Sequence, residues 1–203
     1  MVLRRLHKDD AGIASVEFAL LSGFLIAVTL AAVELGYGYM QYNQVHQAAR
    51  TGARLAAVSD PVASDMRAMT GLGNANAGDP MPAYTRTCSG SNQSCSGGTY
   101  DGAAMNALIF GPDNDGACGA TAKARRGLCD VKSQIERKHV TVTYEGSGLG
   151  VAGNPAKLTP LITVKVSDLD FNFLVVDAFL PNSFTKIPDI EVSVMAEDLR
   201  TRS

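Results

Sequence analysis

The chain has 203 residues, a formal net charge of −2 and a pI near 5.9. That length holds one anchor and one compact domain of about 100 to 150 residues, which excludes two large domains. The mildly acidic balance excludes the global basic field that polynucleotide binding uses, so no nucleic acid is expected as a partner. With no Trp, few aromatics and 20 glycines, the composition describes a light, loop-rich fold without a deep aromatic pocket, and no small-molecule substrate is expected.

The first predicted element is a membrane helix. Between Asp10 and Glu34 the only ionisable side chain is Glu17, and Phe18 to Val33 is an uncharged run rich in Leu, Ile, Val and Phe. The large apolar residues of this run favour insertion by about 3 to 5 kcal/mol in total. Counted from Ile13 to Val33, the helix is about 31 Å long at 1.5 Å per residue, close to hydrocarbon thickness. Arg4, Arg5 and Lys8 precede it and no Lys or Arg follows until Arg50, so the positive-inside rule places the N-terminus in the cytoplasm and the C-terminal part outside. Tyr37, Tyr39 and Tyr42 follow the far end, where rings favour the headgroup layer; the alternative is ordinary core tyrosines.

Inside the run, Ser15, Ala19, Gly23, Ala27 and Ala31 recur every four residues and form a ridge of small side chains. Such ridges let helices approach closely in lipid, where packing replaces the hydrophobic effect. Glu17 is the anomaly, because intramembrane acids are rare and point to function. A cut between Gly12 and Ile13 would remove the basic leader and make Glu17 the fifth residue of the product. The carboxylate would then lie one turn from a free amine, its own or a neighbouring subunit's, and near the positive end of the helix dipole.

The stretch "GIASVEFALL" followed by "ELGYGYMQYNQVHQAARTGARLAAV" resembles the TadE-like family, pseudopilins or minor pilins of the tight adherence (Flp) type IV pilus system. The basic leader, Gly12, four residues, then Glu17 and Phe18 ahead of an apolar helix, is similar to the class III signal peptide of pilin-like proteins. The resemblance covers residues 11 to 58. It implies cleavage after Gly12 by a prepilin peptidase, with Glu17 and Phe18 in the recognised motif, and partnership with other pilins or pseudopilins and with pilus assembly platform proteins. It also implies a single-pass protein of the bacterial inner membrane with a periplasmic C-terminal domain, incorporated or not in an extracellular pilus that serves cell adhesion. Flp subunits are much shorter and usually carry Tyr after the Glu; Phe18 and a large ectodomain therefore imply a minor, priming or capping role rather than the bulk filament.

The expected domains are a cleaved leader at 1–12, a transmembrane helix at 13–34, an amphipathic extension at 35–58 and an extracytoplasmic domain at 59–203. In the extension, Tyr42, Val45, Ala49, Ala53 and Ala56 share one arc and Gln44, Gln47, Arg50, Thr51 and Arg54 the other. Gly36 and Gly38 offer a bend, and Ser59-Asp60-Pro61 a stop. Residues 71–102, rich in Gly, Ser, Asn and Pro, are expected as a loop. Helices are predicted at about 103–110 and 121–137, the second on the spacing of Ala124, Leu128, Val131 and Ile135. Strands follow on Val140, Val142 and Tyr144, on Ile162, Val164 and Val166, near Leu169, Phe171 and Phe173, and on Ile190, Val192 and Val194. The fold class is α+β: a long N-terminal transmembrane helix continuing into an amphipathic helix, then a small antiparallel sheet packed on helices.

Cys88, Cys95, Cys118 and Cys129 all fall in the extracytoplasmic part, and an even count there suggests two disulfides among three possible connectivities. Local pairing, 88 with 95 and 118 with 129, would close short loops worth about 2 to 3 kcal/mol each. The spacing lacks a zinc knuckle, so no metal is expected. "PDNDGACG" fails the calcium-loop register, "EGSGLG" is followed by a segment that cannot open a phosphate-binding helix, and no nucleophile elbow or Walker sequence occurs. Asp168, Asp170 and Asn172 read as the wet face of a strand, and "KARR" at 123–126 as a solvated helix face. No catalytic residues, cofactor or enzyme activity are expected. The rival readings are a Sec-exported or membrane-anchored binding protein unrelated to pili, weakened by the poor cut site Thr29-Leu30-Ala31, and a single-pass membrane enzyme, for which no constellation exists.

Overall fold

A computed structural model describes residues 10–113, 116–119, 125–146, 148–173, 186–196 and 199. Contacts divide the chain into two units, Met1–Met40 with Phe171–Thr185 and Gln41–Asp170 with Lys186–Ser203. The leader's Arg4, Arg5 and Lys8, and also Lys123 and Ala124, lie outside the described residues.

Helix α1, Asp10–Ala57, is continuous, without a stop at Gly36 or Gly38. Frequent Ala and Leu favour it, and it ends just before Ser59-Asp60-Pro61, where proline biases the preceding residue away from helix. In the first unit Glu34 and Gly38, one turn apart, are the buried positions of α1. Gly38 is covered by Phe173: a Cβ there would come within 3.2 Å of the ring. Phe171 and Phe173 stack on each other with centroids 5.4 Å apart.

The second unit is built on a five-stranded antiparallel sheet of order β2-β1-β3-β6-β7, with β1 at Tyr84–Ser89, β2 at Ser94–Ser96, β3 at Val140–Gly146, β6 at Leu161–Val166 and β7 at Ile190–Met195. A two-stranded ribbon, β4 at Gly150–Val151 and β5 at Lys157–Leu158, sits in the β3–β6 connection. Register puts Cys88, Val142, Val164 and Val192 in one cross-strand row, and Tyr144, Ile162 and Val194 in the next. Most of this face is buried, including Val140, Val166 and Ile190, while Thr87, Thr143, Thr163 and Ser193 line the opposite face. That is the period-2 burial of a sheet with one wet side. Tyr144, fully buried, accepts the Val62 N–H on its hydroxyl at 3.0 Å; burial pushes its phenol well above the usual range.

The helices α2, Gly102–Phe110, and α3, Leu128–Val131, complete the unit. Asp101 caps α2, its carboxylate accepting the N–H of Ala103 at 2.9 Å and of Ala104 at 3.1 Å and pairing with Arg67 at 2.6 Å. Partial burial raises its pKa, but the Ala104, Arg67 and Ala103 hydrogen bonds outweigh this and hold it below the usual carboxylate range.

The structure corrects four expectations. Residues 71–102 are not one loop, because β1 and β2 form a hairpin within them. Its inward side carries the buried half-cystine Cys88 and the half-buried Arg86, paired to Asp65 at 2.9 Å, rather than aliphatic residues. The described part of 121–137 is α-helical only at Leu128–Val131, with a 3-10 turn beginning at Arg137. Gly127 is extended and so close to the Ile109 backbone that no helix runs through it, yet Leu128 and Ile135 are buried all the same. Arg125 and Arg126 therefore lie in a loop and not on a helix face. Leu169 to Phe173 form no strand: Asp168 takes a positive φ of 56°, and the segment makes a single bridge, Asp170 with Lys186.

Candidate functional site

The first half of α1 is the part of the molecule whose chemistry asks for a partner. Ile13, Phe18, Leu20 and Phe24 are 68, 74, 71 and 70% exposed, and Val16, Leu21, Leu25, Ile26 and Val33 are also exposed. A soluble protein would not leave so continuous an apolar surface uncovered. The helix is long and apolar enough to cross a membrane. Its hydroxyls suit that solvent: Ser22 donates to the Ala19 carbonyl at 3.0 Å and Thr29 to the Ile26 carbonyl at 2.8 Å, so neither carries an open donor outward.

Ser15, Ala19, Gly23, Ala27 and Ala31 lie along one row of this helix, all exposed, and the position of a Cβ on Gly23 meets nothing within 4 Å. Glu17 is exposed on the same turn as the start of the row but not beside it. At 100° per residue it lies about 160 to 200° from Ser15 and Ala19, on the opposite side. The start of the row and the acid therefore face different ways, while each four-residue step turns the row by about 40° and brings Ala27 and Ala31 round toward the side of Glu17, farther along the helix. Gly12 and Ile13 lie in the first turns of α1. Tyr37 and Tyr39 are exposed, whereas Tyr42 is half-buried with its ring 6.4 Å from His46.

One acid was missed as a feature of this region. Glu34 is buried at only 4% exposure, and charge counting gives no sign of that, because its covering comes from the fold and not from its neighbours in sequence.

The family model for TadE-like protein matches residues 12–54. Over this segment the chain is similar to TadE-like proteins. The match begins at Gly12, takes in Glu17, Phe18 and the whole small-residue row, and ends at Arg54, before the sheet begins. It implies a protein associated with the Tad pilus, in a family whose role is structural. One N-terminal apolar helix in such a protein fits a single-pass membrane protein of a pilus system. No curated protein and no solved structure shows significant similarity to the chain.

In the second unit several groups are paired, while the Tyr84 and Tyr100 hydroxyls are buried without a hydrogen-bond partner. Cys88 is bonded to Cys95 and Cys118 to Cys129. Lys132, mostly buried, donates to the Gln41 side-chain carbonyl at 3.2 Å, and burial pushes its ammonium below the usual lysine range. His139 accepts the Glu136 N–H on Nδ1 at 3.0 Å. Burial, helped by Lys138, lowers its pKa against the pull of Glu136, Asp168 and Asp170. Among the described residues no group of three or more His, Cys, Asp or Glu side chains is placed to hold a metal ion.

Proposed function

We propose that the protein is a pseudopilin or minor pilin that takes part in assembling a tight adherence pilus, with residues 13–34 in the inner membrane and the C-terminal domain in the periplasm. The observation that carries this reading is the coincidence of the family match with the uncovered apolar half of α1. Prepilin peptidase removes the leader between Gly12 and Ile13, with Glu17 and Phe18 in the recognised motif. The scissile bond lies in the first turns of α1, where helix ends fray and a protease finds extended chain most readily.

After cleavage Glu17 is one turn from the new amine of Ile13, and a carboxylate in lipid is stabilised only by such a partner, in its own chain or in a neighbour's. The small-residue row, which starts on the opposite side of the helix from Glu17 and winds around it, lets a second pilin helix approach closely. An acid and a small-residue row that winds around the helix suit a subunit that meets more than one neighbour, as in a filament or its priming complex. Phe18 and the disulfide-bonded domain suit a priming or capping subunit that meets the assembly platform and contributes to surface adherence.

Mass spectrometry of the mature N-terminus, from membranes of cells with and without their prepilin peptidase, tests the reading. A peptide beginning at Ile13 only when the peptidase is present is the expected result. An N-terminus near Ala32 would replace it with an exported protein, and an intact leader in both strains would remove the role given to Glu17.

A further inference from the structure

The second unit carries a cleft of about 560 Å³ for which the assembly reading has no use. One wall is the face of α1 bearing Gln44, Gln47, Arg50, Thr51 and Arg54; the other is Arg126, Asp130 and Val131, around α3. Arg50, Arg54 and Arg126 are all exposed, and among the described residues none of them is in an ion pair. Arg50 and Arg54 stand one turn apart on the same helix, a placement of like charges that weakens a helix unless something neutralises it. Asp130, the carboxylate on the wall, is engaged by backbone, accepting the Gly119 N–H at 2.7 Å and the Gly127 N–H at 2.8 Å. Three guanidinium groups against one carboxylate leave the cleft two positive charges in excess, in a chain whose formal net charge is −2.

The walls are fixed to one another. Leu128 packs over Gly52, where a Cβ would come within 2.7 Å of its Cδ1, and Cys129 is tied to Cys118. Binding there would need little rearrangement of the backbone, and its ordering cost would fall mainly on the exposed arginine side chains.

We propose that this cleft binds a phosphate group of a soluble anion. A phosphate monoester carries about −1.5 to −2 charge near neutral pH and presents three acceptor oxygens, which matches the excess charge and the guanidinium donors lining the cleft. A single carboxylate would leave the cleft cationic. The Gln44 and Gln47 amides add uncharged donors, while Thr51 gives its hydroxyl to the Gln47 carbonyl at 3.0 Å.

The test is titration of the full chain in zwitterionic micelles with inorganic pyrophosphate at constant ionic strength, by calorimetry and by NMR of the arginine Nε–H resonances. Saturable binding is expected, with shifts confined to Arg50, Arg54 and Arg126. Arg50→Gln and Arg126→Gln should each weaken it about tenfold or more, the usual cost of losing a charge-assisted hydrogen bond. Lys157→Gln removes the same charge from an exposed site elsewhere in the unit and should change affinity less than about twofold, as screened surface charges do. All four residues are exposed, and circular dichroism at matched concentration checks that each variant is folded. Non-saturable binding, an equal loss in Lys157→Gln, or binding only to vesicles containing phosphatidic acid would overturn the proposal.

Discussion

The two halves of α1 are one helix written for two solvents. From Ile13 to Val33 the large side chains, Leu, Ile, Phe and Val, are on the outside and the small ones form a row among them. From Gln41 to Ala57 the buried positions are mostly small: Ala48, Ala49, Gly52, Ala53 and Ala56, with Gln41, Val45 and Leu55. Hydropathy alone ranks the two halves by degree. Side-chain size against burial separates them in kind, since lipid rewards large apolar surface and a packed protein interior rewards close approach.

That comparison breaks most sharply under a charge. Ala53→Arg places a guanidinium where the native side chain is fully buried, and should cost the second unit about 4 kcal/mol or more, with membrane retention unchanged. Urea unfolding and alkaline extraction of membranes read the two effects separately. Gly23→Arg is the reciprocal experiment: the arginine opposes insertion by about 2.5 to 3.5 kcal/mol, comparable to the whole gain of the apolar run, while the second unit keeps its urea midpoint. If Gly23→Arg lowered that midpoint, the first half of α1 would be part of the folded core and not a lipid-facing segment.

A finer cut isolates what holds the second unit. Tyr144→Phe keeps the ring's volume but removes the acceptor of the Val62 N–H, leaving that donor buried at a cost of about 1 to 3 kcal/mol. Loss of stability with unchanged membrane retention is the expected outcome.

How much of this was legible beforehand depended on whether the burying groups were aliphatic. Helix α1, the short helix α2 and strands β3, β6 and β7 announce themselves because Val, Ile, Leu and Tyr recur at the period of each element. The β1–β2 hairpin does not, because a half-cystine and an ion-paired arginine take the places where a strand usually shows Val or Ile. The helix expected through 121–137 fails in its described part for the opposite reason: the apolar spacing is real, but Gly127 is pressed against the Ile109 backbone in an extended conformation. In the candidate site, Glu17 and the small-residue row are visible as spacing. The burial of Glu34 and the meeting of Arg126 with Arg50 and Arg54 are tertiary events between residues far apart in sequence, and local pattern carries no record of them.

The smallest expected effect is a pH dependence confined to the second unit. His139 is buried, and its Nδ1 accepts the Glu136 N–H at 3.0 Å, so protonating the ring on that nitrogen removes an acceptor from a backbone donor. Burial accordingly holds its pKa below the ordinary value near 6.5. The unfolded chain then takes up the proton more readily than the folded one. The stability this group contributes is complete above about pH 6.5 and is lost as pH falls from there through the lower folded pKa. Urea midpoints at pH 7.5 and 5.5 should differ in that direction, and His139→Asn, which keeps an acceptor but does not titrate, should flatten the difference. Asp101 also has a lowered pKa, but a carboxyl titrates below about pH 4, outside that interval, so a slope that survived in His139→Asn would have to come from another group than these two.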